Sequence, residues 1–342
     1  MNIYDDDSVK IFRSPEMNYL FNKKTGFMAL FGKTQDEDPD FSPYGPTIAD
    51  IEISTKCSKG CKFCYKSNTP KGENMDLATF KKVLSKFNRT LTQVALGAGD
   101  IDANPDIWAI MEQCRASGVI PNITINGARM APELFDKLAS LCGAVAVSHY
   151  NDDECFNAVQ ELAKRGMKQT NIHALLSRES YDKCFDLIDK AATDPRLSGL
   201  NAIVFLSLKP RGRGTSLTPL RDVAAYRKLV EYATEKGISY GFDSCGANVF
   251  LEAMKDHPDY DRFEVLAEQC ESWRFSTYID VQGRMFPCSF SADGEGFDLT
   301  SDEIESIDQI WNSDKVSNWR CKLLGNCCNC PVYDIGPLKK VG

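Results

Sequence analysis

Ile51-Glu52-Ile53-Ser54-Thr55-Lys56-Cys57-Ser58-Lys59-Gly60-Cys61-Lys62-Phe63-Cys64-Tyr65 is the stretch around which the chain is organised. Three thiols, Cys57, Cys61 and Cys64, stand in a C-x3-C-x2-C spacing directly after a short apolar run at 51–53. Cysteines this close can converge on one metal centre. Structural zinc takes four ligands, commonly in C-x2-4-C pairs, and no fourth Cys or His lies nearby. A [4Fe–4S] cluster held by three thiolates keeps one iron without a protein ligand, open to a small molecule. A cluster is the expected occupant, with zinc as the alternative.

Outward from this loop, short β-branched runs alternate with amphipathic helical stretches. Strands are predicted at 51–54, 93–96, 122–125, 145–148, 171–175 and 202–206, with a seventh at 238–242. Helices are predicted at 76–87, 105–117, 132–141, 152–165, 180–192 and 220–236. Gly118, Gly166 and Gly237 stand where C′ glycines end helices. Such βα units imply a parallel sheet, and six of them make a partial (β/α)6 TIM-like barrel of the α/β class. Chemistry in such barrels gathers at the C-terminal ends of the strands, where the Cys57 loop falls. Residues 1–48 read as a small N-terminal β extension and linker, with strands at 19–21 and 27–31 about a turn at Gly26. The barrel is expected over 49–245 and a separate C-terminal unit over 246–342.

The 342 residues are 43% hydrophobic and 26% charged, enough for one large domain and an appendage. A net charge of −8 argues against non-specific binding to nucleic acid. The acidic start MNIYDDDSVK lacks a signal-peptide pattern, and no apolar run approaches a membrane span. Fourteen cysteines in such a chain point to metal and free thiols rather than disulfides, with the cytoplasm as the expected compartment.

The Cys57–Cys64 segment, with Phe63 just before the third cysteine, resembles the cluster loop of radical S-adenosylmethionine (radical SAM) enzymes. The resemblance implies that the amine and carboxylate of SAM chelate the fourth iron. It implies too that one-electron reduction cleaves SAM to a 5′-deoxyadenosyl radical, which abstracts hydrogen from a substrate. Further SAM contacts follow from it. Ala98-Gly99-Asp100 stands where the family usually has Gly-Gly-Glu, a departure that keeps small and acidic character. Asn126, in Thr124-Ile125-Asn126-Gly127, and Ser148, at the end of the fourth strand, occupy SAM-contact positions, and Asn126 serves equally as a turn residue. His149 reads as a rim histidine or a substrate contact. Asn171, His173 and Arg178 bracket the fifth strand, for SAM, substrate or packing. Arg211 and Arg213, in Lys209-Pro210-Arg211-Gly212-Arg213-Gly214, suit an anionic substrate or a solvated loop.

A second constellation follows. Cys270 and Cys288 flank a hairpin predicted over 275–281 and 284–287, and Cys327 and Cys330 form a C-x2-C pair. Spacing alone suits zinc or a cluster. The pattern resembles the SPASM and twitch extensions of radical SAM enzymes. With no cysteine after Cys330, it implies the twitch type with one auxiliary [4Fe–4S] cluster on Cys270, Cys288, Cys327 and Cys330. Cys321 or Cys328 could replace one of these. The expected activity is radical modification of a peptide or protein side chain. The alternatives are dehydrogenation or rearrangement of a small metabolite or nucleotide, and a non-catalytic metal-binding module. Flavodoxin or ferredoxin is the expected electron donor. Cys245, just past the possible seventh strand, belongs to neither constellation. It reads as a hydrogen-atom donor to a substrate radical, a buried small hydrophobe, or a further cluster ligand.

Overall fold

The computed structural model describes residues 1–324 and Cys330; Cys327 and Cys328, expected above as a cluster ligand and its possible substitute, lie outside these residues. The N-terminal extension is larger than the predicted hairpin. Strands β1 (Asn2–Asp5), β2 (Val9–Arg13), β3 (Asn18–Asn22) and β4 (Met28–Phe31) form an antiparallel meander. The acidic run that hides the first two strands is itself a turn, because the Asp6 carboxylate accepts the Ser8 and Val9 N–H groups at 2.7 and 2.8 Å. Phe12, Met17, Tyr19 and Phe21 bury themselves against Ile120. The buried Lys10 ammonium donates to the Leu91 carbonyl at 2.9 Å, and the Tyr19 hydroxyl lies 3.1 Å from Thr92 Oγ1. The meander therefore sits beneath the N-terminal ends of the barrel strands, remote from the Cys57 loop.

Seven parallel strands build the barrel wall: β5 (Ile48–Glu52), β6 (Gln93–Gly97), β7 (Ile120–Ile125), β8 (Val145–Ser148), β9 (Thr170–Leu176), β10 (Ala202–Ser207) and β11 (Tyr240–Phe242). Helices α1 (Leu77–Ser85), α2 (Ile107–Ala116), α3 (Pro132–Leu141), α4 (Asp152–Lys164), α5 (Tyr181–Thr193) and α6 (Val223–Glu235) alternate with them. Asp76, Asn151 and Asp222 cap α1, α4 and α6 by accepting N–H groups of the first turn. Gly118, Gly166 and Gly237 have φ of 71°, 79° and 68°, as their C′ positions require. In β9, Ile172, Ala174 and Leu176 are buried in the core between sheet and helices. The alternate residue His173 points into the barrel, where its Nδ1 lies 3.5 Å from Thr124 Oγ1 on β7. Core side chains such as Ile51, Val94, Phe156, Leu187 and Leu229 are at most 1% exposed. Each stabilises the fold by about 1.5–3 kcal/mol relative to exposure.

After β11 come α7 (Ala247–Met254) and α8 (Tyr260–Leu266), then the hairpin β12 (Ser276–Ile279) and β13 (Arg284–Phe286), β14 (Phe297–Asp298), α9 (Asp308–Trp311) and α10 (Asp314–Leu324). The hairpin joins the barrel wall. β12 pairs in parallel with the free edge of β5, Ser276 opposite Ile48 and Ile279 opposite Ile51, giving one ten-stranded sheet. Among the described residues no helix is long and apolar enough to cross a membrane.

Candidate active site

The cysteines divide by environment. Cys114, Cys142, Cys155 and Cys184 are buried in the core, and burial pushes their thiols up to about 12. Such thiols behave as small apolar side chains. Cys57, Cys61 and Cys64 are only half-buried, on the loop leaving the C-terminal end of β5. Burial raises the Cys61 thiol, the Tyr150 hydroxyl beside it lowers it, and the neighbouring Cys57 and Cys64 raise it again. The three sulfurs thus act on one another. Among the described residues no set of three His, Cys, Asp or Glu side chains closes around a single metal ion. A four-iron cube, being larger than one ion, needs its thiolates further apart. Three thiols on one loop leave a zinc ion short of the four ligands its structural sites take, whereas a [4Fe–4S] cluster can be held by three.

The loop is braced from the next three strands. Gly99 follows β6 at a close approach, where a Cβ would collide with the Lys56 carbonyl oxygen and with Cys57. The Asp100 carboxylate accepts the Ser58 N–H at 2.8 Å and the Asn126 amide at 2.9 Å, and Asn126 also donates to the Gly99 carbonyl at 3.0 Å. Arg129 donates to Ser58 Oγ at 2.6 Å and lies 3.6 Å from Asp100. Lys59 pairs with Glu154 on α4. Ala98, half-buried, completes this turn. After β8 the Tyr150 ring stands 5.7 Å from Phe63, and its hydroxyl reaches Ser148 and Cys61. The ring is 38% exposed, yet burial of its hydroxyl end dominates the upward shift of that group. His149 is held by Asp152 at 2.9 Å and stacks on Phe156, the arrangement of a rim histidine. Phe63, Gly99, Asp100, Asn126 and Ser148 are therefore brought together at one end of the barrel. Asn171 lies at the opposite end of β9, bonded by Asn201 at 2.8 Å, and Arg178 is exposed beyond that strand's far end.

Arg211 and Arg213 have a different use from the one expected. The Arg213 guanidinium donates to the carbonyls of Cys61 at 2.8 Å and Asn68 at 3.1 Å, and its N–H donates to the Cys64 carbonyl at 3.0 Å. Arg211 bonds the Phe290 carbonyl and Asp293. One turn after β10 thus clamps both cysteine loops, which takes these guanidiniums from an anionic substrate. Gly212, with φ of 56°, permits the clamp, since a Cβ there would collide with the Tyr65 and Cys64 carbonyls.

Sequence reading missed the contacts that join the two constellations. The Tyr65 ring lies 4.5 Å from Phe290, and its hydroxyl reaches Ser289, beside Cys288. The Tyr278 hydroxyl on β12 donates to Glu52 at 2.8 Å and accepts from Lys66 at 2.7 Å, while Lys66 lies 3.2 Å from Glu52. A hairpin flanked by cysteines signals such contacts only once its strand is known to pair with β5. Cys270 and Cys288 lie at the two ends of that hairpin, with Ser272 Oγ 3.2 Å from Cys270 Sγ and Ser291 Oγ 3.6 Å from Cys288 Sγ. Both thiols are raised, chiefly by burial, and both feel Cys330. Cys321 is exposed. Asp50 faces the barrel interior, open to water there but walled by protein, and that enclosure pushes its carboxyl up to about 6.

Residues 51–154 match the family model of the radical SAM superfamily, and residues 270–331 match that of the SPASM iron–sulfur cluster-binding domain. Mycofactocin maturase MftC of Mycobacterium tuberculosis is 27% identical over 216 residues, 56% of this chain and 53% of that protein. MftC of Mycobacterium ulcerans is 24% identical over 323 residues, 84% of this chain and 81% of that protein. The chain spans about half the length of the first of these curated relatives. Among solved structures, Streptococcus suis SuiB bound to its precursor peptide SuiA superposes with a TM-score of 0.71 at 13% identity, covering 93% of this chain and 90% of that one. SuiB bound to S-adenosylmethionine gives 0.70 at 14% identity, covering 97% and 94%. These likenesses show the fold.

Proposed function

This chain carries a radical SAM domain and a SPASM iron–sulfur cluster-binding domain, and from that premise we propose that it cleaves SAM reductively and abstracts hydrogen from a peptide side chain. The observation that carries the reading is the convergence of Cys57, Cys61 and Cys64 with Phe63, Gly99, Asp100, Asn126 and Ser148 at the C-terminal end of the barrel. The three thiols would hold the SAM cluster, and the C-terminal cysteines an auxiliary one. When bound, the first cluster supplies the electron that breaks a C–S bond of SAM, giving methionine and the 5′-deoxyadenosyl radical.

The protein's own part is placement. Asp100, itself held by Asn126, accepts the Ser58 N–H, Arg213 holds the carbonyls of Cys61 and Cys64, and the Tyr150 ring packs beside Phe63. The peptide substrate is supported by the named activities of the relatives, a maturase and a structure holding a precursor peptide. The small-anion reading loses its support where Arg211 and Arg213 are spent on backbone carbonyls. The cytoplasm suits oxygen-sensitive clusters, and flavodoxin or ferredoxin would supply the electron. The division at 49–245 and 246–342 is retained as a division of tasks, SAM chemistry in the first and the auxiliary cluster in the second.

The test is SAM turnover. Anaerobically reconstituted, reduced protein is expected to convert SAM to 5′-deoxyadenosine and methionine, and a Cys57→Ala/Cys61→Ala/Cys64→Ala protein to lose this wholly. Stoichiometric zinc with no iron after reconstitution would refute the reading.

A further inference from the structure

β11 is the last strand of the ten-stranded sheet, and beyond it no strand pairs among the described residues. The Ser239 carbonyl accepts the Ile203 N–H at 2.9 Å, and the Asp243 N–H donates to the Phe205 carbonyl at 3.1 Å. Alternate residues of such a strand turn their polar groups to the same neighbour. Gly241 therefore faces β10, and the N–H and C=O groups of Tyr240 and Phe242 face the free edge, a template for a further strand. The strand's C-terminal end, with half-buried Cys245 just beyond it, lies at the rim that carries the Cys57 loop.

A cleft of about 890 Å³ adjoins this edge, near the upper end of the ~300–1,000 Å³ usual for ligand sites. β11 lines one side, and Phe263, Leu266 and Ala267, on α8 and just after it, line another. Val265 and Leu266 of α8 are 75% and 65% exposed, the most of any large apolar side chains among the described residues. The cleft opens at the level of the candidate site. Ser148 lies opposite His173, His173 opposite Val204, and Val204 opposite Gly241. Opposed residues of neighbouring strands share a face, so this row crosses the barrel interior from Ser148 to the free edge, where Val204 and Gly241 line the cleft. Packing does not demand a glycine there: a Cβ on Gly241 would meet no atom within 4 Å, and its φ is not positive. A strand glycine under open space suits the close approach of another backbone or a ligand. The charge is one-sided, with the carboxylates of Glu231, Glu235, Asp259 and Glu268 lining the cleft against the Arg262 guanidinium.

We propose that the peptide substrate lies in this cleft as an added strand on the free edge of β11, with a Lys or Arg side chain among the carboxylates, and passes Gly241 into the barrel interior. Main-chain bonds to Tyr240 and Phe242 supply affinity whatever the sequence, and the carboxylates supply the preference for a basic residue. The proposal rests on the reading that this chain acts on a peptide.

The probe is a library of short random-sequence peptides displayed on phage and selected on the full chain, anaerobically reconstituted and supplied with SAM. Selected sequences are expected to be rich in Lys or Arg, and are then synthesised for binding measurements. Methylating every second backbone nitrogen should weaken binding about ten-fold or more in one phase and leave it unaltered in the other, because only alternate amides face β11. Gly241→Leu, which fills open space without a collision, should weaken the same peptides about ten-fold or more, with far-UV circular dichroism and iron content as in the wild type. Glu231→Gln/Glu235→Gln should reduce the preference for a basic residue and the salt dependence of binding. Equal effects of the two methylation phases, undiminished binding to the Gly241→Leu protein, or a selection that yields no binding peptide overturns the proposal. Each of these leaves the proposed function standing where the wild-type protein converts SAM to 5′-deoxyadenosine. A reconstituted wild-type protein that does not cleave SAM overturns both.

Discussion

Asp100 shows how one side chain can brace the cysteine loop from a neighbouring strand. Its two carboxylate oxygens are engaged by Ser58 and Asn126, so it fixes the backbone between the first two cysteines. Losing a hydrogen bond to a charged group costs about 1.5–3 kcal/mol. Asp100→Ala is therefore expected to weaken SAM binding about 10- to 100-fold, read by equilibrium dialysis on reconstituted protein, with the folded circular dichroism retained. Unaltered affinity would mean that the loop is held without it. Asp50 gives a prediction of opposite kind. Enclosure raises its carboxyl to about 6, so between about pH 4 and 6 the folded chain binds more protons than the unfolded one. Its contribution is present below that window and is lost as pH rises through it. Asp50→Asn should raise the urea midpoint at pH 7 and leave it unchanged near pH 3.5; an unchanged midpoint at pH 7 would show that water in the barrel already solvates the carboxylate.

At the scale of elements, what the sequence revealed was what recurs locally. The alternation from β5 to α6, the helix-ending glycines and the position of Cys57 after the first strand could be read because each depends on a few neighbouring residues. Boundaries moved by up to three residues, as at β5, where the strand starts at Ile48 rather than 51. Partners distant in the chain could not be read. Nothing local in Ser276–Ile279 says that it will pair with β5, and nothing in Arg211 or Arg213 says that carbonyls rather than an anion will take their donors. β1 and β2 were hidden because Asp5-Asp6-Asp7 reads as solvated charge, whereas Asp6 folds back on its own backbone. The clamp after β10 leads to a measurement. Arg213→Ala removes two donors, one each from the Cys61 and Asn68 carbonyls, while leaving every thiol in place. The SAM cluster should then lose iron to a chelator several-fold faster, whereas Arg211→Ala should speed loss from the auxiliary cluster. Equal rates for wild type and both variants would show that the clamp does not govern cluster retention.

For the whole molecule, the question is whether the C-terminal unit is an appendage or part of the wall that holds the SAM cluster. The contacts favour the wall. β12 covers the edge of β5, Tyr278 completes the buried triad with Glu52 and Lys66, and Phe290 packs on Tyr65. All of these partners lie within the first cysteine loop or the strand that feeds it. A chain ended at residue 266 would expose the β5 edge and leave Glu52 and Lys66 without the Tyr278 hydroxyl, and a buried polar group left unsatisfied costs about 1–3 kcal/mol. Such a chain is expected to lose the SAM cluster as well as the auxiliary one. Replacing Cys270 and Cys288 by Ala in the full chain removes auxiliary ligands but none of these contacts, so that protein should keep about four irons and the ability to cleave SAM. Iron per chain and 5′-deoxyadenosine formation, measured on the two proteins side by side, decide the matter. If the truncated chain folds, keeps about four irons and cleaves SAM at the rate of the doubly substituted one, the barrel holds its cluster alone and the parallel pairing of β12 with β5 contributes nothing to it.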